Sequence, residues 1–167
     1  MQFSIIQGDI AAQSADVLVN AAGTSLQMGS GVAGALRRRG GEQLNTDAVE
    51  QGPINLGEVV VTDAYELDAE YVIHAAAMPH HGDRKATHKS IEDATQNTLE
   101  RADALGARSI VIPALGCGVA GFDLHQGATI ICETIAGYEP RTLEDVRVIA
   151  YSDDEYKTIR DVATEYN

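Results

Sequence analysis

Short runs of Val, Ile and Leu with few polar residues inside them constrain the fold of this chain more than any other feature. They fall at Gln2–Ile6, Val17–Asn20, Glu58–Thr62, Tyr71–His74, Ser109–Pro113 and Arg147–Tyr151. A strand with one wet face alternates apolar and polar residues, whereas a continuous run suits a strand covered on both faces. Helical stretches lie between the runs. Ile91, Ala94, Leu99, Ala102 and Leu105 recur at three- to five-residue steps within Ala86–Leu105, and Gly106 ends that helix. Ala128–Ala136 reads as another. Ser152-Asp153-Asp154-Glu155 opens a last one, a capping-box pattern with acid at the positive end of the helix dipole. Alternating β and α elements predict an α/β fold, a sheet with helices on both faces. With 167 residues and no Pro-, Ser- or Gly-rich divider, one domain over residues 1–167 is expected.

Charge narrows the partners. Lys and Arg total 12 against 25 Asp and Glu, a net charge of −13. Such a surface repels duplex nucleic acid and anionic lipid, so neither is an expected partner. The one basic cluster, Arg37-Arg38-Arg39, reaches a phosphate backbone only if nearby carboxylates allow it. Scarce Lys and dispersed acid resemble proteins of a high-salt cytoplasm, where a Debye length of ~3 Å screens self-repulsion. No apolar run approaches the ~18 residues of a membrane span, and Met1-Gln2-Phe3-Ser4 is not a basic, apolar leader, so a cytoplasmic location is expected. The two cysteines, Cys117 and Cys132, form neither a disulfide framework nor a zinc pattern. His74, His80, His81 and His88 lack ligand spacing; His80-His81 reads as exposed loop, and His74 as a strand-end residue bonded within the protein. No metal or cofactor is expected, and the oligomeric state is left open.

Glycine placement points to chemistry. Gly29-Ser30-Gly31-Val32-Ala33-Gly34 and Gly116-Cys117-Gly118-Val119-Ala120-Gly121 are near copies, each after a predicted strand and before a predicted helix. Glycine permits positive φ and close approach of a ligand, and a helix N-terminus just beyond offers unpaired N–H groups. Two such loops can clasp a pyrophosphate without Lys or Arg; the structural alternative is a pair of tight turns. Cys117 in a nest of N–H groups can have a lowered thiol pKa, but with no assignable base it reads as a small filler.

Three further positions stand at strand ends. Asp9, in Gly8-Asp9-Ile10, can accept from an exocyclic amine such as that of adenine while a neighbouring N–H donates to the ring; alternatively it caps a short helical turn. Tyr151 offers a face for stacking on a base, or lies half-buried over the sheet edge. Asn20 must find partners for its amide, by tying down a loop or by orienting a ligand hydroxyl.

Gly8-Asp9-Ile10, Val19-Asn20-Ala21-Ala22, Gly29 to Leu36, Val72-Ile73-His74-Ala75, Pro113-Ala114-Leu115-Gly116-Cys117-Gly118-Val119 and Tyr151-Ser152-Asp153 occur in this order. Together they resemble a macro domain, the ADP-ribose-binding module, over essentially the whole chain. The resemblance implies a three-layer α/β/α sandwich around a mixed, mostly parallel sheet of about six strands. It implies that Asp9 holds the adenine amine beside the Ile10 amide and that Tyr151 stacks on the adenine. Gly29, Ser30, Gly31, Val32 and Ala33 would follow the distal ribose and pyrophosphate, and Gly116 to Gly121 would wrap the diphosphate. Free ADP-ribose, its derivatives and ADP-ribosylated protein are the implied partners.

The departures from the family bear on catalysis. Gly23 stands where many members have a second Asn, Ala33 where one hydrolytic branch has Asp, and Met28 where another has His. Ala120 stands where an aromatic often meets the distal ribose, with Phe122 as a replacement. The first expectation is therefore binding with slow hydrolysis of a distal-ribose phosphomonoester, acetyl ester or acidic side-chain conjugate. Its water would be positioned by Asn20 and loop amides and activated by a ligand phosphate. The alternative is a reader without turnover. A dinucleotide-dependent oxidoreductase is remote: the first loop lies about eight residues past its strand, no acidic residue ends a strand about twenty positions after the second, and little chain remains for a substrate domain.

Overall fold

The computed structural model describes residues 1–79, 85–118 and 121–166. Six strands form one sheet: β1 (Gln2–Gln7), β2 (Val17–Gly23), β3 (Val59–Asp63), β4 (Tyr71–Met78), β5 (Ser109–Pro113) and β6 (Asp145–Ala150), in the order β1-β6-β5-β2-β4-β3. All neighbours pair in parallel except β3, which runs antiparallel to β4 at the edge. The helices among the described residues are α1 (Gly31–Gly40), α2 (Glu42–Glu50), α3 (His88–Ala104), α4 (Leu124–Gly137) and α5 (Asp153–Ala163).

Continuous apolar runs produce this layering. Val17, Val19, Ile73, Ile110, Ile112, Val146 and Val148 face α3, α4 and α5, while Leu18, Val72, Val111 and Ile149 face Leu36 of α1 and Leu44 of α2. Each fully buried Leu or Ile contributes about 1.5–3 kcal/mol by leaving water, so both sheet faces are strongly held. The predicted α/β/α sandwich is what the chain forms.

Local chemistry sets the boundaries. Thr87 and Ser90 close a capping box on α3, and Ser152 and Glu155 close one on α5. Gly106, at φ 77°, follows the C-cap of α3. Asp103, 4% exposed, holds the approach to β6. It accepts from Tyr138 Oη, from Arg141 N at 3.0 Å, from Thr142 N and Leu143 N at 2.9 Å, and from Thr142 Oγ1 at 3.0 Å. Burial alone would raise its pKa; these hydrogen bonds hold it well below the usual carboxylate range. Strands β2 and β4 run three and four residues further than the apolar runs indicate, through Ala21–Gly23 and Ala75–Met78. Among the described residues no helix is long and apolar enough to cross a membrane.

Candidate functional site

The carboxyl ends of β1, β6, β5, β2 and β4 open on one cleft of about 460 Å³. Strands β5 and β2 are neighbours, yet β2 leads to α1 on one face and β5 to α4 on the other. Their connections diverge there, and an open α/β sheet forms its ligand crevice at such a point. Gly8, Asp9 and Ile10 enter the cleft from β1, Ile149 and Tyr151 from β6, Pro113, Ala114, Gly116 and Gly118 from β5. Ala21 comes from β2, Met78 from β4, and Ser30, Gly31, Val32, Ala35 and Arg38 from the turn into α1 and its inner face.

The first glycine loop is an open array of donors. Helix α1 starts at Gly31 with Ser30 as its N-cap, and the Ser30 side chain makes no capping bond. The first amide to find an acceptor is that of Gly34, on Ser30 O at 3.1 Å. The N–H groups of Gly29, Ser30, Gly31, Val32 and Ala33 therefore have no acceptor among the described residues. Gly31 lies at φ 61°, and a side chain there would meet no protein atom within 4 Å, only the cleft. An anion held by these amides would also gain from the helix dipole.

The second loop is not its equivalent. Cys117 N, Gly121 N and Phe122 N are spent inside the turn, on Ala114 O at 3.2 Å, Gly118 O at 3.0 Å and Gly116 O at 3.2 Å. Helix α4 begins only at Leu124, and Asp123 caps it by accepting from Gln126 N at 3.0 Å. The expected open helix end beyond this loop is thus closed by a carboxylate. Gly116, at φ 77°, has a different constraint: a Cβ there would stand 2.7 Å from Ala86 Cβ. Val119 and Ala120 lie outside the described residues, as do His80 and His81.

Asp9 and Tyr151 stand together at the β1–β6 end of the cleft. One Asp9 oxygen accepts from Ala11 N at 2.9 Å and caps the 3-10 turn Ile10–Ala12. The capping alternative is therefore realised, and it orients the other oxygen without consuming it. The Ile10 N–H beside it has no acceptor among the described residues. Tyr151 follows β6 rather than ending it, because its N–H goes to Glu155 Oε1 at 2.9 Å, and it is 78% exposed. Gln7 donates to Asp153 Oδ1 at 2.7 Å and ties this end of the cleft together.

Asn20 is elsewhere. It is fully buried and its Nδ2 meets His74 Nδ1 at 2.9 Å, across the register pair of β2 and β4. With the amide donating, the ring keeps its proton on Nε2 and donates to Thr62 Oγ1 at 3.0 Å. His74 sits in mid-strand, and burial pushes its pKa down to about 4. Asn20 therefore ties sheet strands and does not line the cleft. Ala33 is buried against the α1 side of the core, and Phe122 packs on the α4 side. Burial, with Asp123 and Glu155 nearby, pushes the Cys117 thiol up to about 12, opposite to the lowering a nest of amides would give. Cys117 and Cys132 are free thiols, and among the described residues no three His, Cys, Asp or Glu side chains gather as a metal site.

Ala21, Ala35, Arg38, Met78, Ile149 and Glu155 line the cleft unanticipated. Gly31, Ala35 and Arg38 share a helical face at steps of four and three, a spacing visible in the sequence for a helix that starts at Gly31.

A cleft at the carboxyl edge of a mixed six-stranded sheet, walled in part by Ser30, Gly31 and Val32 at an uncapped helix start, is the ligand crevice of an open α/β protein. The Macro domain family model matches residues 19–131, and the chain belongs to that family. An uncharacterized protein of Saccharolobus solfataricus is 37% identical over 166 residues, 97% of this chain and 92% of that one. An uncharacterized protein of Mycobacterium tuberculosis is 37% identical over 153 residues, 92% of this chain but 42% of that longer one. A solved structure of the Oceanobacillus iheyensis macrodomain with ADP is 27% identical with a TM-score of 0.87, covering 97% of this chain and 89% of that one. The Trypanosoma brucei macrodomain in complex with ADP-ribose is 26% identical with a TM-score of 0.86, covering 95% of this chain and 68% of that one.

Proposed function

We propose that residues 1–167 act as one macro-like unit that binds ADP-ribose, free or attached to protein, in the cleft at the carboxyl edge of the sheet. The observation that carries this is the run of uncapped amides at residues 29–33, at the N-terminus of α1. A diphosphate supplies acceptors to those donors, and Gly116 and Gly118 bound it from the other wall. Asp9 and the Ile10 amide then meet the adenine edge, and Tyr151 covers its face. Solved relatives with ADP and ADP-ribose support the same ligand.

Binding without fast turnover is the function the geometry supports best. Among the described residues the carboxylates lining the cleft are Asp9 and Glu155, both at its β1–β6 end. Asn20 and Ala33 are turned into the interior. Hydrolysis at the distal ribose would then run on amide dipoles, which position and stabilise but abstract no proton, and would leave activation of the water to the ligand's own phosphate. Calorimetry with ADP-ribose tests binding, and absence of both heat and thermal shift at millimolar ligand overturns it. Phosphate release from ADP-ribose 1''-phosphate faster than in buffer would restore the hydrolytic reading.

A further inference from the structure

We infer that Arg37, Glu42 and Asn45 are positioning residues for the first glycine loop, holding Met28 by both of its backbone groups and so fixing where the amides of residues 29–33 point. The inference rests on the reading of the cleft as a diphosphate site.

Met28 immediately precedes the loop and is fully buried in the core beside Leu36 and Leu44. Its N–H donates to Asn45 Oδ1 of α2 at 3.0 Å, and its carbonyl accepts from Arg37 Nη1 of α1 at 3.0 Å. The guanidinium is itself held by a two-pronged pair with Glu42, Nε to Oε1 at 2.9 Å and Nη2 to Oε2 at 2.7 Å. A forked pair restrains the plane of the guanidinium as well as its position, so although the pair is partly exposed, swinging Arg37 away breaks three hydrogen bonds together, two to Glu42 and one to the Met28 carbonyl. Gly29, Ser30 and Gly31 have no comparable restraint: they are exposed, two lack side chains, and Ser30 makes no capping bond. The loop enters the cleft from a fixed point on one side and joins α1 on the other. Preorganised donors bind an anion more tightly than donors that must be ordered first.

None of the three residues lines the cleft, whereas the neighbouring Arg38 does. Their effect on the ligand therefore runs through Met28. This also gives Arg37, part of the chain's basic cluster, an inward role in place of a phosphate contact.

The test compares Asn45→Leu and Arg37→Met, which each remove one hold, with Asn45→Asp, which keeps the acceptor. ADP-ribose affinity is read by calorimetry, adenosine affinity by NMR titration, and ¹⁵N order parameters of residues 29–31 in ligand-free protein. Asn45→Leu and Arg37→Met should each weaken ADP-ribose about tenfold while leaving adenosine within about twofold. Order parameters should fall from about 0.85 toward 0.6, and Asn45→Asp should restore both readouts. Folded variants with unchanged order parameters or unchanged ADP-ribose affinity overturn the inference, as does an equal loss for adenosine. If the wild-type protein binds no ADP-ribose, the functional reading fails, and the brace stands or falls on the order parameters alone. Two variants on separate helices keep the test open if either one fails to fold.

Discussion

The proposed adenine end of the cleft can be tested through the ligand, which avoids disturbing the fold. Asp9 has one oxygen on Ala11 N at 2.9 Å, and the Ile10 N–H beside it has no acceptor among the described residues. The pair offers an acceptor next to a donor, the complement of adenine's amine and ring nitrogen. Hypoxanthine reverses both groups: a carbonyl oxygen faces the carboxylate and a ring N–H faces the amide. A charge-assisted hydrogen bond is worth about 1.5–3 kcal/mol, and leaving its partner unsatisfied adds cost. IDP-ribose should therefore bind wild-type protein at least about tenfold more weakly than ADP-ribose. In Asp9→Ala the carboxylate's share disappears, so discrimination should shrink several-fold even though the lost cap lowers stability by about 1 kcal/mol. Calorimetry with both ligands on both proteins completes a double-mutant cycle. Equal affinity of wild-type protein for the two ligands would show that the adenine edge does not meet Asp9.

Tyr151→Ala should weaken ADP-ribose by about 1–3 kcal/mol through lost stacking. It should change stability by less than about 0.5 kcal/mol, since the ring is 78% exposed; calorimetry and a melting curve check the two. His74 holds a pKa of about 4 in the fold against 6.5 when free. From pH 6.5 down to about 4 the unfolded chain takes up a proton that the fold refuses, so stability present above pH 6.5 falls by about 3 kcal/mol across that window. In His74→Gln that part of the denaturant-midpoint profile should flatten; a profile parallel to wild type refutes it. We further propose that the acidic surface is suited to high salt: the unfolding midpoint should rise from low to molar salt while ADP-ribose affinity does not fall. An unchanged midpoint removes that adaptation.

What could be read from the chain was whatever burial had written into residue type. Val17 to Val19 and Ile110 to Ile112 are covered on both faces, so each run appears without interruption. The ends of β2 and β4 are Ala-rich, and Ala carries no strand preference; pairing of Val17 to Gly23 with Tyr71 to Met78 makes them strand. Helix α2 leaves little periodic signal in the sequence because its buried residues are only Leu44 and Ala48. Asn20 was undecidable alone, since its partner His74 is 54 positions away and becomes adjacent only through the register. The difference between the two glycine loops did have a local sign. Asp123 with Gln126 three residues on is an N-cap pattern, and it moves the start of α4 beyond the loop.

That difference changes how an anionic chain can hold an anion. Two equivalent loops would share a diphosphate, whereas among the described residues the amides of 29–33 have no acceptor and those of Cys117, Gly121 and Phe122 are spent within their own turn. The amides of residues 29–33 carry fixed dipoles that neither titrate nor need a counterion, and they act at contact distance. The field of a net charge of −13 acts over the Debye length, about 10 Å at 0.1 M salt and ~3 Å at 1 M. Rising salt should therefore strip the repulsion that slows approach and leave the contacts proposed to hold the ligand. A site built on Lys and Arg would lose affinity under the same change through counterion competition. The sign of the salt dependence thus separates the two ways of binding a phosphate; on the proposed reading the uncapped turn before α1 puts this site with the first, and Arg38, the basic side chain among the described cleft residues, would pull it toward the second.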